Sequence, residues 1–320
     1  MAKEKRIIFS KDFRTVRLDK FLREEFPFFS RKSIQNIFNE KNVMINGTPG
    51  KKGDILRQGD LIHIKNIPSP DKLELKPNPL LIVKIIYKDK DIIMLDKPSG
   101  IPSHPLDSEE KDTAANFLIA KFPEIKDVGK KPLEPGMINR LDIGTSGLLL
   151  IARNHKIFEK LKKEQKDGRI KKEYMSLVIG EVKEGGIIKS HIGHHPKNKR
   201  KMKIFYSDDK IRKFKARKAI TSFEIYKRYS GYTLLKVLIE KGLMHQIRVH
   251  LSDIGYPIAG DKLYQTKKIR GLDSTGLEHQ FLHASDIEFY HPSSGKLVNF
   301  SSQLPEELIN VLKTILSQPS

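Results

Sequence analysis

Four prolines, Pro68, Pro70, Pro77 and Pro79, fall between Asn66 and Pro79. Proline fixes its own backbone angle and has no amide proton to donate, so this stretch cannot sustain a helix or a central strand. The pattern predicts a linker over 67–79, separating a small domain at 1–66 from a large one at 80–320. A chain of 320 residues is long enough for about two domains, each with its own buried core.

In the small domain Leu18, Phe21, Leu22 and Phe26 share one helical face, and Pro27 ends the run. Ser30 is placed to cap a second helix whose Ile34, Ile37 and Phe38 again line one side. Val43-Met44-Ile45 then runs into an Asn46-Gly47 turn, and Asp60 to Ile64 reads as a further strand. These elements predict a compact α+β domain. In the large domain apolar strand-like runs at 81–87, 91–95, 148–152, 174–180, 232–239 and 281–290 alternate with turns. Helical stretches at 113–122, 155–165 and 245–254 are too few and too irregularly placed for a doubly wound parallel sheet. The expected fold class is therefore mixed α/β: a large, mainly antiparallel sheet with peripheral helices.

Lysine and arginine exceed the acidic residues to give a net charge of +21, which favours a polyanionic partner, either nucleic acid or an anionic membrane surface. The densest run, Pro196 to Lys218, carries eleven basic residues against Asp208 and Asp209, with Phe205, Tyr206 and Phe214 among them. That interleaving suits phosphate contact combined with base stacking. The absence of cysteine excludes disulfides, thiol nucleophiles, iron–sulfur clusters and cysteine-ligated zinc. The N-terminus has too short an apolar run for a signal peptide, and no segment is long and apolar enough to span a bilayer. A soluble, non-exported, cytoplasmic protein is expected.

The stretch most suggestive of chemistry is Asn139-Arg140-Leu141-Asp142-Ile143-Gly144-Thr145-Ser146-Gly147, followed by the apolar run Leu148 to Ala152. A carboxylate beside an arginine, in a glycine-containing loop before a buried strand, is where sites are commonly built. The same pattern also fits an Asx turn in which Asp142 only bonds nearby amides. His191, His194 and His195 lack an adjacent acidic ligand and read as a polar loop rather than a metal site. His245 and His250 are five apart and miss the spacing of helical zinc motifs, while His283 and His291 read as packing residues. No glycine-rich phosphate loop is present.

The loop at 139–147 resembles the active-site loop of RluA-type pseudouridine synthases, in which Arg-Leu-Asp, a two-residue spacer and Thr-Ser-Gly precede an apolar strand. Further matches follow in order: Lys172-Glu173-Tyr174, Arg200-Lys201-Met202, His245 to His250, Gly260-Asp261-Lys262-Leu263-Tyr264, Leu282-His283-Ala284 and Phe289-Tyr290-His291-Pro292. The resemblance covers 80–305. Residues 14–66 separately resemble the ribosomal-protein-S-four-like RNA-binding domain that often precedes this catalytic domain. On that resemblance Arg17, Lys20, Arg23, Arg31 and Lys32 form a phosphate-gripping face.

The resemblance implies conversion of uridine to pseudouridine, which breaks the base N1–ribose bond and remakes it to C5 without net redox change, so it requires no metal or cofactor. It assigns Asp142 as nucleophile or base, Arg248 as its cationic partner, and Tyr174 as the group stacking on the uracil or assisting removal of the C5 proton. Arg140 would hold the flipped nucleotide, and Arg200 and Lys201 would contact the substrate. Two departures stand out: Asn139 replaces the family's histidine, and Lys241-Gly242-Leu243-Met244 replaces Thr-Gly-Arg-Thr. They keep open an alternative, a non-catalytic RNA-binding or ribosome-assembly factor. Large-subunit ribosomal RNA is the preferred substrate, transfer RNA the alternative, and nothing in the sequence demands more than a monomer.

Overall fold

The protein, a computed structural model, is described over residues 3–10, 16–26, 31–67, 74–106 and 109–316. It divides into two compact units, Met1–Glu74 and Leu75–Ser320.

The first unit runs β1 (Lys3–Ile8), β2 (Val16–Arg17), α1 (Leu18–Glu25), α2 (Arg31–Asn39), β3 (Val43–Ile45), β4 (Thr48–Pro49), β5 (Ile55–Leu56) and β6 (Leu61–Ile67). Its main sheet has the order β1-β6-β3-β4 and β2 pairs with β5. Leu18, Phe21 and Leu22 face inward from α1 and Ile34 and Ile37 from α2, meeting Val43, Ile62 and Ile64 of the sheet. Asn46 and Gly47 both take positive φ, +48° and +82°, which turns β3 back onto β4. The β1 strand was not anticipated from its charged sequence. It is an edge strand whose Lys5, Arg6 and Ile7 pair with Ile64, His63 and Ile62, so one face remains in water. The predicted Ser30 cap and the Pro27 stop lie outside the described residues, as do the Arg31 and Lys32 side chains.

The second unit continues with β7 (Lys84–Lys88), β8 (Ile92–Lys97), α3 (Ala114–Lys121), β9 (Ser146–Ala152), α4 (His155–Lys166), β10 (Lys171–Ile179), β11 (Gly186–His194) and β12 (Met202–Phe205). It ends with α5 (Asp208–Phe214), β13 (Arg217–Tyr229), β14 (Tyr232–Ile239), α6 (Gln246–Asp253), α7 (Lys267–Arg270), β15 (Leu282–Tyr290), β16 (Leu297–Ser301) and α8 (Glu306–Leu316). Ten strands form one sheet in the order β12-β11-β13-β14-β10-β15-β9-β8-β7, with β16 pairing to β15. Every pairing is antiparallel except β9 with β15, which run parallel. The mixed, mainly antiparallel architecture is thus the one expected. Thr113 and Asn154 cap α3 and α4 with their side chains, which fixes where those helices start. No helix among the described residues is long and apolar enough to cross a membrane.

Two sequence expectations change. Residues 75–79 are not a free linker: Leu75 is buried, Lys76 O accepts from Asn116 Nδ2 at 2.6 Å, and Asn78 N donates to Asn116 O at 3.1 Å. The basic run 196–218, expected to offer its aromatic rings to bases, contains β12, α5 and the start of β13. Its Phe205 is buried and stacks on Phe214, with centroids 4.8 Å apart, so neither ring is offered freely to a base; Tyr206 is exposed. Thirteen-residue β13 escaped notice because it buries only Ala219, Thr221, Phe223 and Tyr229, and its exposed positions include Arg217, Glu224, Lys227 and Arg228.

Candidate active site

The parallel pairing of β9 and β15 creates the centre of the site. Gly147 pairs with Ala284 at φ +107°, and a Cβ there would sit 2.2 Å from Ala284 O, so only glycine lets the strands approach. The loop entering β9 is fastened from several sides. Buried Asn139 donates to Leu148 O at 3.1 Å and accepts from Leu150 N at 2.8 Å. Ser103 Oγ bridges both backbone polar groups of Leu141, and Gln280 Nε2 donates to Thr145 Oγ1 at 2.9 Å. The family histidine is therefore replaced here by a residue that locks the loop to its own strand.

That loop presents Asp142, whose side chain is 26% exposed. Its Oδ2 accepts from Arg248 Nη1 at 2.8 Å, and His245 Nε2 lies 3.7 Å away. Oδ1 has no hydrogen-bond partner among the described residues. The carboxylate's bond to a guanidinium 106 residues away sets aside the simple Asx turn, although Thr145 N does bond the Asp142 carbonyl at 3.0 Å.

Arg248 sits on α6 and is only 8% exposed. Asp261 grips it through two bonds, Nε to Oδ2 at 2.7 Å and Nη2 to Oδ1 at 2.8 Å. The Tyr264 ring covers the guanidinium at 5.3 Å. A buried cation needs such partners, and Asp261 together with Asp142 holds its pKa well above the ordinary arginine value despite burial. Tyr264 in turn accepts from Met202 N at 2.8 Å and meets His245 Nδ1 at 3.0 Å. His245 is the N-cap of α6 in a left-handed conformation, φ +54°, rather than its first helical residue. Burial pushes its pKa down, opposed by the Asp142 charge.

Tyr174 comes from β10, between Val237 of β14 and Ala284 of β15. Burial first, then the negative charge of Asp142, raises its pKa well above the ordinary phenol value, so the phenol is neutral. Asp142, Arg248 and Tyr174 thus belong to one site. Lys201 lies at its edge, its ammonium 5.6 Å above the Tyr264 ring, whereas Arg200 is exposed in the turn before β12. Arg140 is exposed beside the loop and reaches Glu134 at 2.9 Å and His104 at 3.0 Å. Arg17 and Lys20 are exposed on the first unit, where Arg17 Nε bonds Asp19 at 3.0 Å.

The sequence reading assigned no role to Lys97, Asp261 or Tyr264. Lys97 is fully buried at the end of β8 and donates to three carbonyls, Pro98 and Ile101 at 2.7 Å and Ile143 at 3.2 Å. It thereby ties the residue after Asp142 to the turn leaving β8. The signal was a lysine closing an apolar strand just before Pro98-Ser99-Gly100. Among the described residues one group, Asp89, Asp91 and His291, has ligand atoms close enough to share a cation, and it includes none of His191, His194 and His195. His283 is buried between Ser146 Oγ and Ser302 O, and His291 bonds Asp89, both as packing residues would.

The fold of the second unit is shared with solved proteins. The human protein RNA pseudouridylate synthase domain containing 1 superposes with a TM-score of 0.53 at 22% identity, covering 77% of this chain and 99% of its own. Residues 91–253 match the family described as RNA pseudouridylate synthase. An uncharacterized RNA pseudouridine synthase of Aquifex aeolicus is 35% identical over 302 residues, 92% of each chain. Ribosomal large subunit pseudouridine synthase D of Neisseria meningitidis is 29% identical over 306 residues, 93% of this chain and 78% of that one. The chain therefore belongs to the RNA pseudouridine synthase family, in its RluA-type branch, and is an isomerase acting on RNA.

Proposed function

We propose that this synthase isomerises uridines of large-subunit ribosomal RNA, with Asp142 as the reacting carboxylate. The observation that carries the assignment is the division of labour at Asp142: Oδ2 is held by buried Arg248 and Oδ1 is left unoccupied. A carboxylate so held is aimed, which suits either attack on the anomeric carbon or removal of a ribose proton to give a glycal. Along either route the C1′–N1 bond breaks, the C1′–C5 bond forms, C5 loses its proton and N1 gains one. Neutral Tyr174 flanks the carboxylate on the sheet, where it would stack on the uracil or help remove the C5 proton. Arg140, exposed at the loop, would help hold the flipped nucleotide out of its stack.

The ribosomal substrate is supported by relatives named for the large subunit, from Neisseria meningitidis and Xanthomonas campestris. The first unit, with Arg17, Lys20 and Arg23 exposed on α1 and the strand before it, would serve as the ribosomal-protein-S-four-like RNA-binding domain and the enzyme would act as a cytoplasmic monomer. The test is pseudouridine mapping, by carbodiimide labelling and reverse-transcription stops, on total RNA from wild-type, gene-deleted and Asp142→Asn cells. The expected result is a large-subunit uridine modified in the wild type alone. Modification persisting in Asp142→Asn would remove the carboxylate's role, and a lost site confined to transfer RNA would replace the substrate.

A further inference from the structure

Lys172 is buried to 3% exposure on β10, two residues before Tyr174 and therefore on the same face of the strand. Among the described residues its ammonium has no hydrogen-bond or ion-pair partner. Above it lies the exposed backbone of Gly242, where an added Cβ would stand 3.8 Å from Nζ. Gly242 begins the segment that leads into α6 and Arg248. On the other side Lys162 of α4 donates to Ile138 O at 2.8 Å, just before the loop that carries Asp142. Lys172 thus lies beside the segment that leads into α6 and Arg248, and within electrostatic reach of Lys162.

The surroundings are short of negative charge. Lys162 repels Lys172, and Lys162 itself is repelled by Arg140 and Lys131. The acidic side chain that offsets them, Glu134, is shared among Arg140 at 2.9 Å, Lys131 at 2.8 Å and His104 at 3.4 Å. Burial, with the Lys162 charge, pushes the Lys172 pKa down to about 8. An unpaired buried cation destabilises a fold unless a ligand supplies its counter-charge. The established substrate is a polyanion, so phosphates come to the site with the target uridine.

We propose that Lys172, assisted by Lys162 and Arg140, forms a subsite for a phosphodiester of the RNA strand next to the target nucleotide. The inference rests on the proposed placement of the reaction at Asp142. Lys172 is then a binding residue that positions the strand, and it takes no part in bond making. Its side chain is buried while the ammonium nitrogen is not among the fully buried orphaned atoms, so a phosphate can reach it and gain a charge-assisted bond.

The test compares the full-length wild type with Lys172→Met and Lys172→Arg. The first arm measures melting with inorganic phosphate added at constant ionic strength against chloride. The second measures pseudouridine formation on ribosomal RNA from cells lacking the gene, over a range of salt. Lys172→Met should melt higher than the wild type by about 2–4 °C without phosphate, because an unpaired charge is removed. It should lose most of the phosphate-induced rise. Its KM should increase about tenfold or more, with kcat within about threefold, as for loss of one charge-assisted bond. Lys172→Arg should keep the phosphate response. A lower melting temperature in Lys172→Met, an unchanged phosphate response, or a fall in kcat with KM intact would each overturn the subsite. If the wild type makes no pseudouridine on this RNA, the substrate reading fails, and the phosphate arm still decides Lys172 alone.

Discussion

Two buried lysines flank the site and differ in one respect. Lys97, at the turn leaving β8, donates to three carbonyls of its own chain; Lys172, on β10, has no hydrogen-bond or ion-pair partner among the described residues. Burial pushes both pKa values down, to about 7 and about 8, with Asp142 opposing the shift at Lys97 and Lys162 deepening it at Lys172. The same residue type at similar depth therefore marks two different things. A lysine whose protons are all spent inside the fold is a fastening, and a lysine whose protons are all unspent is a place for a ligand.

The largest effect should come from breaking the fastening. Lys97→Met leaves the Pro98 and Ile101 carbonyls without their donor, while Ile143 O keeps its bond from Gly100 N at 2.9 Å. Two orphaned acceptors, less the relief of removing a desolvated charge, should cost about 3 kcal/mol in urea unfolding of the second unit. Activity should fall as well, because the Ile143 tie sets the position of Asp142. A Lys97→Met protein as stable as the wild type would show that the carbonyls find other donors and would erase the contrast with Lys172.

The opposite sign is expected at Lys172. In the absence of RNA or phosphate, Lys172→Met should be more stable than the wild type by about 1–2 kcal/mol, since methionine fills the space of the alkyl chain without the charge. Combining it with Lys97→Met should give nearly additive changes in urea unfolding, because the two side chains share no partner. Strong non-additivity would mean that the two positions are coupled through the Asp142 loop, and the lysines would no longer be separable as fastening and ligand.

Much of this domain was readable in the sequence because its central strands are covered on both faces. Ile92 to Leu95 and Ser146 to Ala152 are buried residue after residue, so they appear as continuous apolar runs. Strands with one wet face, β1 and β13, were hidden among lysines and arginines, and the basic run 196–218 concealed β12 and α5 for the same reason. At the site, the adjacency of Arg140 and Asp142 was visible, but the cation that meets the carboxylate is Arg248, 106 residues further on. Local spacing does not encode such a contact; the resemblance supplied it. Asp261, Tyr264 and Lys97 act through side-chain bonds formed only after the sheet closes, and no periodicity announces them.

The smallest effect separates the two lysines by pH. A lysine whose folded pKa lies below its unfolded value of 10.5 binds fewer protons in the native state, so stability rises with pH between the two values. For Lys172 the rise between pH 7 and pH 9 should be about 1 kcal/mol, and the wild type should lose that increment in Lys172→Met. Other groups near the site interfere little in this window. His245, His250 and His283 are pushed down by burial and are already neutral, and Tyr174 and Tyr264 are pushed up and do not yet ionise. Lys97 contributes equally to both proteins, so the difference between the two urea titrations reports Lys172 together with its repulsion of Lys162. Bound phosphate should reverse the trend, because an anion beside the ammonium favours its charged form and stability gained from phosphate then falls as pH rises. Parallel pH profiles for wild type and Lys172→Met, with and without phosphate, would show that the Lys172 ammonium is not depressed by burial and meets no anion there.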